Sequence, residues 1–463
     1  MWPLNCAFVL MIFMICGCAA KEYKIFCQYD LGSFYHKNAS QFTFMDIDER
    51  LCTVLILSTG VGVNGETGEL KRQPGYMIDD DELMSTHHIL YHGKLDRIVG
   101  TIGGWGADSS EFSKLAASST KRDRFLDSVI EFIYEWGLVG VQIDWRYPTQ
   151  RGGRPEDRKN FVTLLKELKI RLDDYGFMLM VAVLGRTDRS TLEYYDIPNL
   201  VRHVHFVSLL FHDSRDPYQS QLRHNAPLSG KHSVGESIKL WKKLGKAPGK
   251  LIMSIPLFVR SYIRERRKTS VGSRSKGPGP MTPLSNKLGF MTYNEWCTQA
   301  DKWTQKYDEQ AKVPYAYKGD QWISYENNRS ILAKIELMKS QNLGGVMPWT
   351  IDSDDFAGNC GKKHSLGRVI LEAINPKAVI VDPVTTTTPA PCPKDGLFRD
   401  PQDCQLYYGC SRGEKFDYEC PFEEFFDEAK SACRPMKEVR CPSLEAALER
   451  LRSGERNKYR DYI

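Results

Sequence analysis

The sequence predicts an α/β protein, most simply a (β/α)8 TIM barrel with a small disulfide-rich β domain behind it. Eight short apolar runs alternate with segments whose apolar residues recur at helical spacing, a pattern typical of parallel strands joined by helices. A Thr/Pro-rich segment then precedes six cysteines within 50 residues. Alternation alone supports an open, doubly wound sheet almost as well as a closed barrel.

The first 20 residues are typical of a secretory signal, because an apolar run over 4–20 ends in small residues. A membrane anchor is the alternative, although the run is short for a bilayer span and no later run is long enough. A net charge of +5 over 463 residues indicates no nucleic-acid surface. We therefore expect a secreted, extracellular monomer without nucleic-acid or membrane partners.

The eight predicted strands cover residues 24–29, 51–57, 97–102, 138–143, 178–183, 205–210, 251–255 and 343–347. The fourth strand ends in Asp144, Trp145, Arg146 and Tyr147. In a parallel barrel the carboxyl ends of the strands form the face where substrates bind. The sequence therefore predicts the functional site at this end of the fourth strand.

Ten cysteines remain after removal of the signal, and an even number in an exported chain favours disulfides. No Cys-x-x-Cys spacing occurs, so we expect neither a metal nor a cofactor. Six of the ten fall within 392–441, behind a predicted linker at 377–391, and a charged tail follows at 442–463. Six cysteines allow 15 pairings, so spacing alone gives no connectivity.

Residues 136–148 resemble the signature of glycoside hydrolase family 18, the chitinases, which reads Asp-Gly-x-Asp-x-Asp-Trp-Glu-Tyr-Pro. The positions that match are Gly140, Asp144, Trp145, Tyr147 and Pro148, whereas Val139, Gln142 and Arg146 replace the two leading Asp residues and the Glu. Residues 392–441 resemble a peritrophin-A chitin-binding domain. The arrangement is similar to arthropod chitinase-like proteins, a group that includes mite allergens.

The resemblance implies a TIM barrel over 21–376 with a small α+β insertion at about 261–340, and the small domain at 392–441. It also implies five disulfides. The implied pairs are Cys27–Cys52, Cys297–Cys360, Cys392–Cys410, Cys404–Cys441 and Cys420–Cys433. Two sequons, at Asn38 and Asn328, are predicted glycosylation sites in an exported chain.

Family 18 enzymes cleave β-1,4-linked N-acetylglucosamine polymers with a Glu as general acid and the substrate's acetamido group as nucleophile. Arg146 occupies the position of that Glu. A guanidinium remains protonated at any working pH, so it neither supplies the proton nor takes one back. His212 replaces a Tyr that contacts the acetamido group, and Gln28 replaces an aromatic residue. We predict a degenerate site without catalytic residues.

The resemblance still implies a surface in the barrel on which a sugar chain binds. The barrel residues that correspond to sugar contacts are Trp105, Asp144, Tyr147, Asp213, Arg260 and Trp349. For Asp144, a pairing with Arg146 is as well supported as a sugar contact. In the small domain the candidate stacking residues are Tyr407, Tyr408, Phe416 and Tyr418, some of which could instead form the domain's own core.

The predicted function is a secreted, chitin-binding, catalytically inactive chitinase-like lectin whose partner is chitin or chitooligosaccharides. One alternative is a weakly active hydrolase that uses another proton donor. A second alternative is a signalling or growth-factor-like protein that uses the outer surface of the barrel.

Overall fold

The structure is a computed structural model that describes residues 22–36, 40–73, 97–187, 189–212, 220–265, 268–378, 380, 396–400, 404–411, 414–420 and 424–441. The predicted signal at 1–20, residues 379 and 381–391 of the predicted linker at 377–391, and the tail at 442–463 lie outside these residues. So do Asn38, Asp213 and Cys392.

Eight parallel strands close into a barrel, as the sequence predicts. In chain order they are β1 (Lys24–Asp30), β2 (Val54–Val63), β4 (Ile98–Gly103), β5 (Gly140–Asp144), β6 (Met178–Leu184), β7 (Phe206–Leu210), β8 (Leu251–Pro256) and β15 (Gly345–Trp349). The ring closes because β1 pairs in parallel with both β2 and β15. A short strand, β3 (Leu70–Arg72), adds to β2 antiparallel. Of the two fold classes left open by alternation, the closed barrel is therefore correct.

Helices pack around the barrel through their apolar faces. They are α1 (Ser109–Ala117), α2 (Ser119–Glu135), α3 (Asp157–Tyr175), α4 (Arg189–Tyr194), α5 (Ile197–Arg202), α6 (Val234–Gly245), α8 (Asn328–Ser340) and α9 (Ser365–Ile374), whereas α7 (Tyr293–Cys297) belongs to the segment inserted between β8 and β15. Within α3, for example, Phe161, Leu165, Leu168 and Leu172 recur at helical spacing and are all buried. No helix in the described part of the chain combines the length and hydropathy needed to cross a bilayer.

A second sheet lies between β8 and β15 in the sequence. It contains the antiparallel strands β9 (Phe258–Arg264), β10 (Ser275–Pro278), β11 (Phe290–Thr292), β12 (Thr304–Asp308), β13 (Val313–Lys318) and β14 (Gln321–Ser324). Its own apolar cluster includes Val259, Trp296, Trp303 and Ile323. A separate core of this kind explains why the stretch between the last two barrel strands is too long for one connecting helix.

The small domain consists of a three-stranded antiparallel sheet and a hairpin. The sheet contains β16 (Gly396–Arg399), β17 (Leu406–Ser411) and β18 (Glu414–Glu419), and the hairpin contains β19 (Glu424–Asp427) and β20 (Ala432–Pro435). Disulfides join Cys404 to Cys441 and Cys420 to Cys433 here, and Cys27 to Cys52 and Cys297 to Cys360 in the barrel region. These four pairs are the ones that the family resemblance implies.

Candidate functional site

The site is built on β5, which places Asp144 at the carboxyl end of the barrel. The strand needs a glycine at its start, because a Cβ on Gly140 would lie 2.1 Å from the carbonyl oxygen of Met178 on β6. After Asp144, alternate side chains point to opposite sides. Trp145 packs outward against Phe112 and donates its indole N–H to the Ser109 hydroxyl at 2.6 Å, while Asp144 and Arg146 share the other side.

Asp144 and Arg146 form a buried, bidentate ion pair. Nε of Arg146 donates to Oδ1 of Asp144 at 2.9 Å, and Nη2 donates to Oδ2 at 2.9 Å. The two side chains are only 1% and 6% exposed. Burial disfavours the guanidinium charge, but the adjacent carboxylate outweighs it and raises the pKa of Arg146 above its usual value. Arg146 is therefore a fixed cation, and both carboxylate oxygens of Asp144 are engaged.

Arg146 is also held through its backbone. Its carbonyl oxygen accepts a hydrogen bond from the hydroxyl of Tyr195 at 2.7 Å, and Tyr195 is itself 1% exposed. The same hydroxyl accepts the backbone N–H of Leu184 on β6 at 3.3 Å. The conformation of Arg146 is thus set by a buried contact that reaches the next barrel strand.

His212 stacks on Trp349 at the centre of the barrel mouth. The imidazole and indole centroids lie 4.4 Å apart with an interplanar angle of 25°, and the guanidinium carbon of Arg146 lies 5.6 Å from the indole centroid. Burial, together with the charges of Arg146 and Arg260, holds the pKa of His212 well below its usual value. The neutral imidazole of His212 and the charged guanidinium of Arg146 therefore both lie against the indole ring of Trp349, which is partly buried.

A neutral hydrogen-bond chain lies beneath this cluster. Gln142 accepts from the Ser208 hydroxyl at 2.8 Å, and its amide donates to Thr101 at 3.3 Å and to Gln28 at 3.5 Å. Gln28 in turn donates to Ser58 at 2.9 Å. These amides and hydroxyls are uncharged, so this chain passes no carboxylate charge to Asp144.

The remaining predicted barrel residues divide between the mouth and its rim. Trp105 is 59% exposed beside the half-buried Tyr147, with ring centroids 6.0 Å apart. Arg260 lies on β9 with its guanidinium carbon 5.0 Å from the Phe258 ring centroid. Val139 precedes β5 and packs against apolar side chains of the barrel. The placement of Asp213 lies outside the described residues.

Sequence reasoning missed Arg151, which lies between two of the predicted aromatic residues. Its guanidinium carbon lies 5.3 Å from the Trp105 ring centroid and 5.1 Å from that of Tyr147. Arg151 has φ 53°, in the left-handed region that side chains rarely adopt. The two glycines that follow it, Gly152 and Gly153, were the available signal of a tight turn that brings the chain back over Trp105.

In the small domain three rings form a column. Tyr407 stacks on Phe426 at 4.2 Å and on Tyr418, its partner across β17 and β18, at 5.3 Å. Phe426 is buried and Tyr418 is 46% exposed, so the column runs from the domain core to solvent. The neighbouring Tyr408 stacks on Phe398 instead, with centroids 5.5 Å apart. Phe416 lies on β18, opposite Gly409.

One grouping with metal-type ligands occurs in the described part of the chain, namely Cys297, Asp355 and Cys360. The two sulfurs form a disulfide, and the Asp355 carboxylate accepts the backbone N–H groups of Asn359 and Cys360. The sulfurs and the carboxylate oxygens are thus already engaged within the chain, so the three residues form a structural turn.

The closed parallel barrel, with aromatic side chains at the carboxyl ends of its strands, defines a (β/α)8-barrel protein with its candidate site at that face. More specifically, the chain belongs to glycosyl hydrolases family 18, whose family model matches residues 33–354. The chitin binding Peritrophin-A domain model matches residues 392–441.

Similar proteins include both chitinases and chitinase-like proteins. The chitinase-like mite allergen Der p 18.0101 of Dermatophagoides pteronyssinus is 29% identical over 450 residues, which cover 90% of this chain and 93% of the allergen. The Group IV chitinase of Ostrinia furnacalis superimposes with a TM-score of 0.72 at 30% identity, over 76% of this chain and 100% of that structure. Human YKL-39, described as a pseudo-chitinase with retained chitooligosaccharide binding, gives a TM-score of 0.68 at 27% identity, over 76% of this chain and 99% of that structure.

Proposed function

We propose that this chain is a secreted chitin-binding protein that does not hydrolyse chitin. The observation that carries the proposal is the buried Asp144–Arg146 pair at the position of the family's general acid. Cleavage of a glycosidic bond needs an acid that protonates the leaving oxygen and then takes a proton back from water. A guanidinium with a raised pKa does neither.

Three described groups next to Arg146 do not replace the missing acid. Both oxygens of Asp144 already accept hydrogen bonds from Arg146. The pKa of His212 is lowered, so at neutral pH it is a neutral imidazole and not the imidazolium that acts as a general acid. Gln142 is an amide and does not titrate. Loss of general-acid catalysis alone costs about 100- to 10,000-fold in rate.

Chitin binding is proposed to reside first in the small domain. The exposed ring of Tyr418, supported from beneath by Tyr407 and Phe426, offers a flat apolar face to a pyranose ring. Of the four candidates in this domain, Tyr418 is thus the proposed stacking residue and Tyr407 its support. In the barrel, the exposed Trp105 is the proposed second contact.

The proposal is tested by two assays on one preparation of the full chain: hydrolysis of a fluorogenic chitooligosaccharide and pull-down on insoluble chitin. We expect no turnover above the blank and strong pull-down that is lost when 392–441 are deleted. Turnover, or the absence of pull-down, would contradict the corresponding half of the proposal. An active family 18 chitinase and a column-purified blank serve as the positive and negative controls.

One observation favours a second candidate, a weak hydrolase with an unorthodox acid. Asp352 follows Trp349 by three residues, and burial together with the charge of Asp30 raises its pKa to about 7. Its carboxyl group accepts the backbone N–H of Asp30 at 3.1 Å and the Thr350 hydroxyl at 2.9 Å. If turnover is found, its loss in Asp352→Asn and its retention in Arg146→Met would identify this alternative.

A further inference from the structure

We propose that the surface formed by Trp105, Tyr147 and Arg151, here called the Trp105 platform, binds an acidic glycan. The ligand class is a β-linked glycan in which an N-acetylhexosamine alternates with a carboxylated sugar. The inference rests on the proposed non-hydrolytic binding but goes beyond it, because it assigns the barrel a ligand that chitin, a neutral polymer, does not represent.

The first argument is the position of the Arg151 guanidinium. It lies 5.3 Å from the Trp105 centroid and 5.1 Å from the Tyr147 centroid, and one of its N–H groups donates to the Trp105 carbonyl oxygen at 3.2 Å. Arg151 is exposed, and Trp105 is 59% exposed. The platform therefore presents an accessible aromatic face and a guanidinium fork beside each other.

The second argument is the charge balance around Tyr147. The guanidinium carbon of Arg151 lies 5.1 Å from the centroid of the Tyr147 ring. Asp144 is already paired with Arg146 at 2.9 Å. Among the residues that the structure describes, no carboxylate forms an ion pair with Arg151. Arg151 therefore places an exposed guanidinium charge on the platform.

The third argument is the match to one ligand chemistry. The guanidinium presents parallel N–H donors in a planar fork that suits a carboxylate, and its own contact with an aromatic ring leaves the fork's edge accessible. The apolar face of an N-acetylhexosamine can stack on Trp105 while the carboxylate of the next sugar meets Arg151. A neutral chitooligosaccharide offers hydroxyl and carbonyl acceptors to the guanidinium but no opposite charge that pairs with it.

The backbone around Arg151 supports a dedicated placement. Both Thr149 and Arg151 have positive φ, 72° and 53°, a conformation that is unfavourable for residues with a Cβ. This turn directs the guanidinium towards Trp105 instead of into solvent. Arg151 could also act as a brace, a residue that only holds the Trp105 indole in place. Loss of a brace would weaken neutral and acidic ligands equally, whereas loss of a charged contact would weaken the acidic ligand alone.

The test is titration of the full chain with a hyaluronan tetrasaccharide and with chitotetraose, at low and at physiological ionic strength. For the acidic tetrasaccharide we expect binding at low salt that weakens as salt screens the exposed charge. Arg151→Gln should weaken the acidic tetrasaccharide about tenfold, as expected for loss of a charged hydrogen-bonded contact. Binding of chitotetraose should change less than about twofold.

Three further variants make the result specific. Arg151→Lys retains the charge without the fork and should show an intermediate loss, whereas Trp105→Ala should abolish binding of the acidic tetrasaccharide. Arg124→Gln is the matched control. Arg124 is an exposed arginine on the outer helix α2, and its guanidinium donates to the backbone carbonyl oxygen of Thr67. It should leave both affinities unchanged.

An affinity for the acidic tetrasaccharide that Arg151→Gln leaves unchanged would overturn the inference. So would an equal loss of both affinities in Arg151→Gln, which would make Arg151 a brace, or an effect of Arg124→Gln as large as that of Arg151→Gln. Pull-down on chitin and the hydrolysis assay, run on the same preparations, report separately on the proposed function. Failure of the acidic glycan with intact chitin pull-down and no turnover would therefore refute this inference alone.

Discussion

The Asp144–Arg146 pair allows a quantitative test of how the barrel tolerates a cation at its mouth. Replacing Arg146 with Met removes three N–O contacts of 2.9 to 3.1 Å and leaves Asp144, which is 1% exposed, without its partner. Breaking a buried pair from one side costs about 3–5 kcal/mol, because the remaining charge is buried and uncompensated. We therefore expect Arg146→Met to lower the free energy of unfolding by about that amount.

The chain contains a matched control for this prediction. Arg50 and Asp48 are also two residues apart and also form a bidentate pair, with both contacts at 2.7 Å. The Arg50 side chain is 44% exposed, so Arg50→Met should cost less than about 1 kcal/mol. The double variant Asp144→Asn/Arg146→Met removes both buried charges and should recover most of the loss.

The assay is equilibrium urea unfolding at pH 7, followed by tryptophan fluorescence with the disulfides intact. Similar small losses in Arg146→Met and Arg50→Met would refute the reasoning, because they would mean that Asp144 is hydrated once its partner is gone. A double variant as unstable as the single one would refute it as well, since packing and not charge would then explain the loss.

Three other predictions concern the same molecule. Arg146→Glu should not restore turnover of a fluorogenic chitooligosaccharide, because Gln142 and His212 still stand where the family 18 pattern has an Asp and a Tyr. Measurable turnover would show that Arg146 alone disables the site. Tyr418→Ala should weaken chitin pull-down about fivefold, the equivalent of one aromatic contact of about 1 kcal/mol, while Tyr408→Ala should weaken it less; the reverse order would refute the assigned column. The pKa of Asp352 is raised from 3.8 to about 7, so the folded state binds this proton more tightly than the unfolded state, and the stability that the group contributes is lost as pH rises through 7. Asp352→Asn should therefore gain stability relative to the wild type between pH 4 and 8 in urea unfolding, and a constant difference would contradict this.

Local patterns in the sequence predict most of the fold. The eight apolar runs correspond to the eight barrel strands, because buried parallel strands and amphipathic helices each leave a period that one segment reveals on its own. Closure of the sheet depends on the pairing of β1 with both β2 and β15, which are distant in the sequence, and periodicity carries no information about it. Only the family resemblance favoured the barrel.

The sequence indicates candidate site residues, which stay a prediction, but not the contacts among them. The position of Arg146 next to Asp144 follows from strand geometry, since residues two apart share a face. The stack of His212 on Trp349 joins the ends of β7 and β15, and Arg151 reaches Trp105 through a turn with positive φ. Such contacts arise from tertiary placement of side chains that are ordinary in their local sequence.

The hydrogen bond from the Tyr195 hydroxyl to the backbone carbonyl of Arg146 determines where a substituted side chain at position 146 would lie. With Tyr195 and Leu184 fixing the backbone there, a glutamate introduced at 146 would inherit the same buried position beside Asp144. Two carboxylates would then face each other above a layer of neutral amides, and like charges in such a place disfavour ionisation. A glutamate at this position would therefore favour its protonated form, in contrast to the fixed cation that occupies the position now.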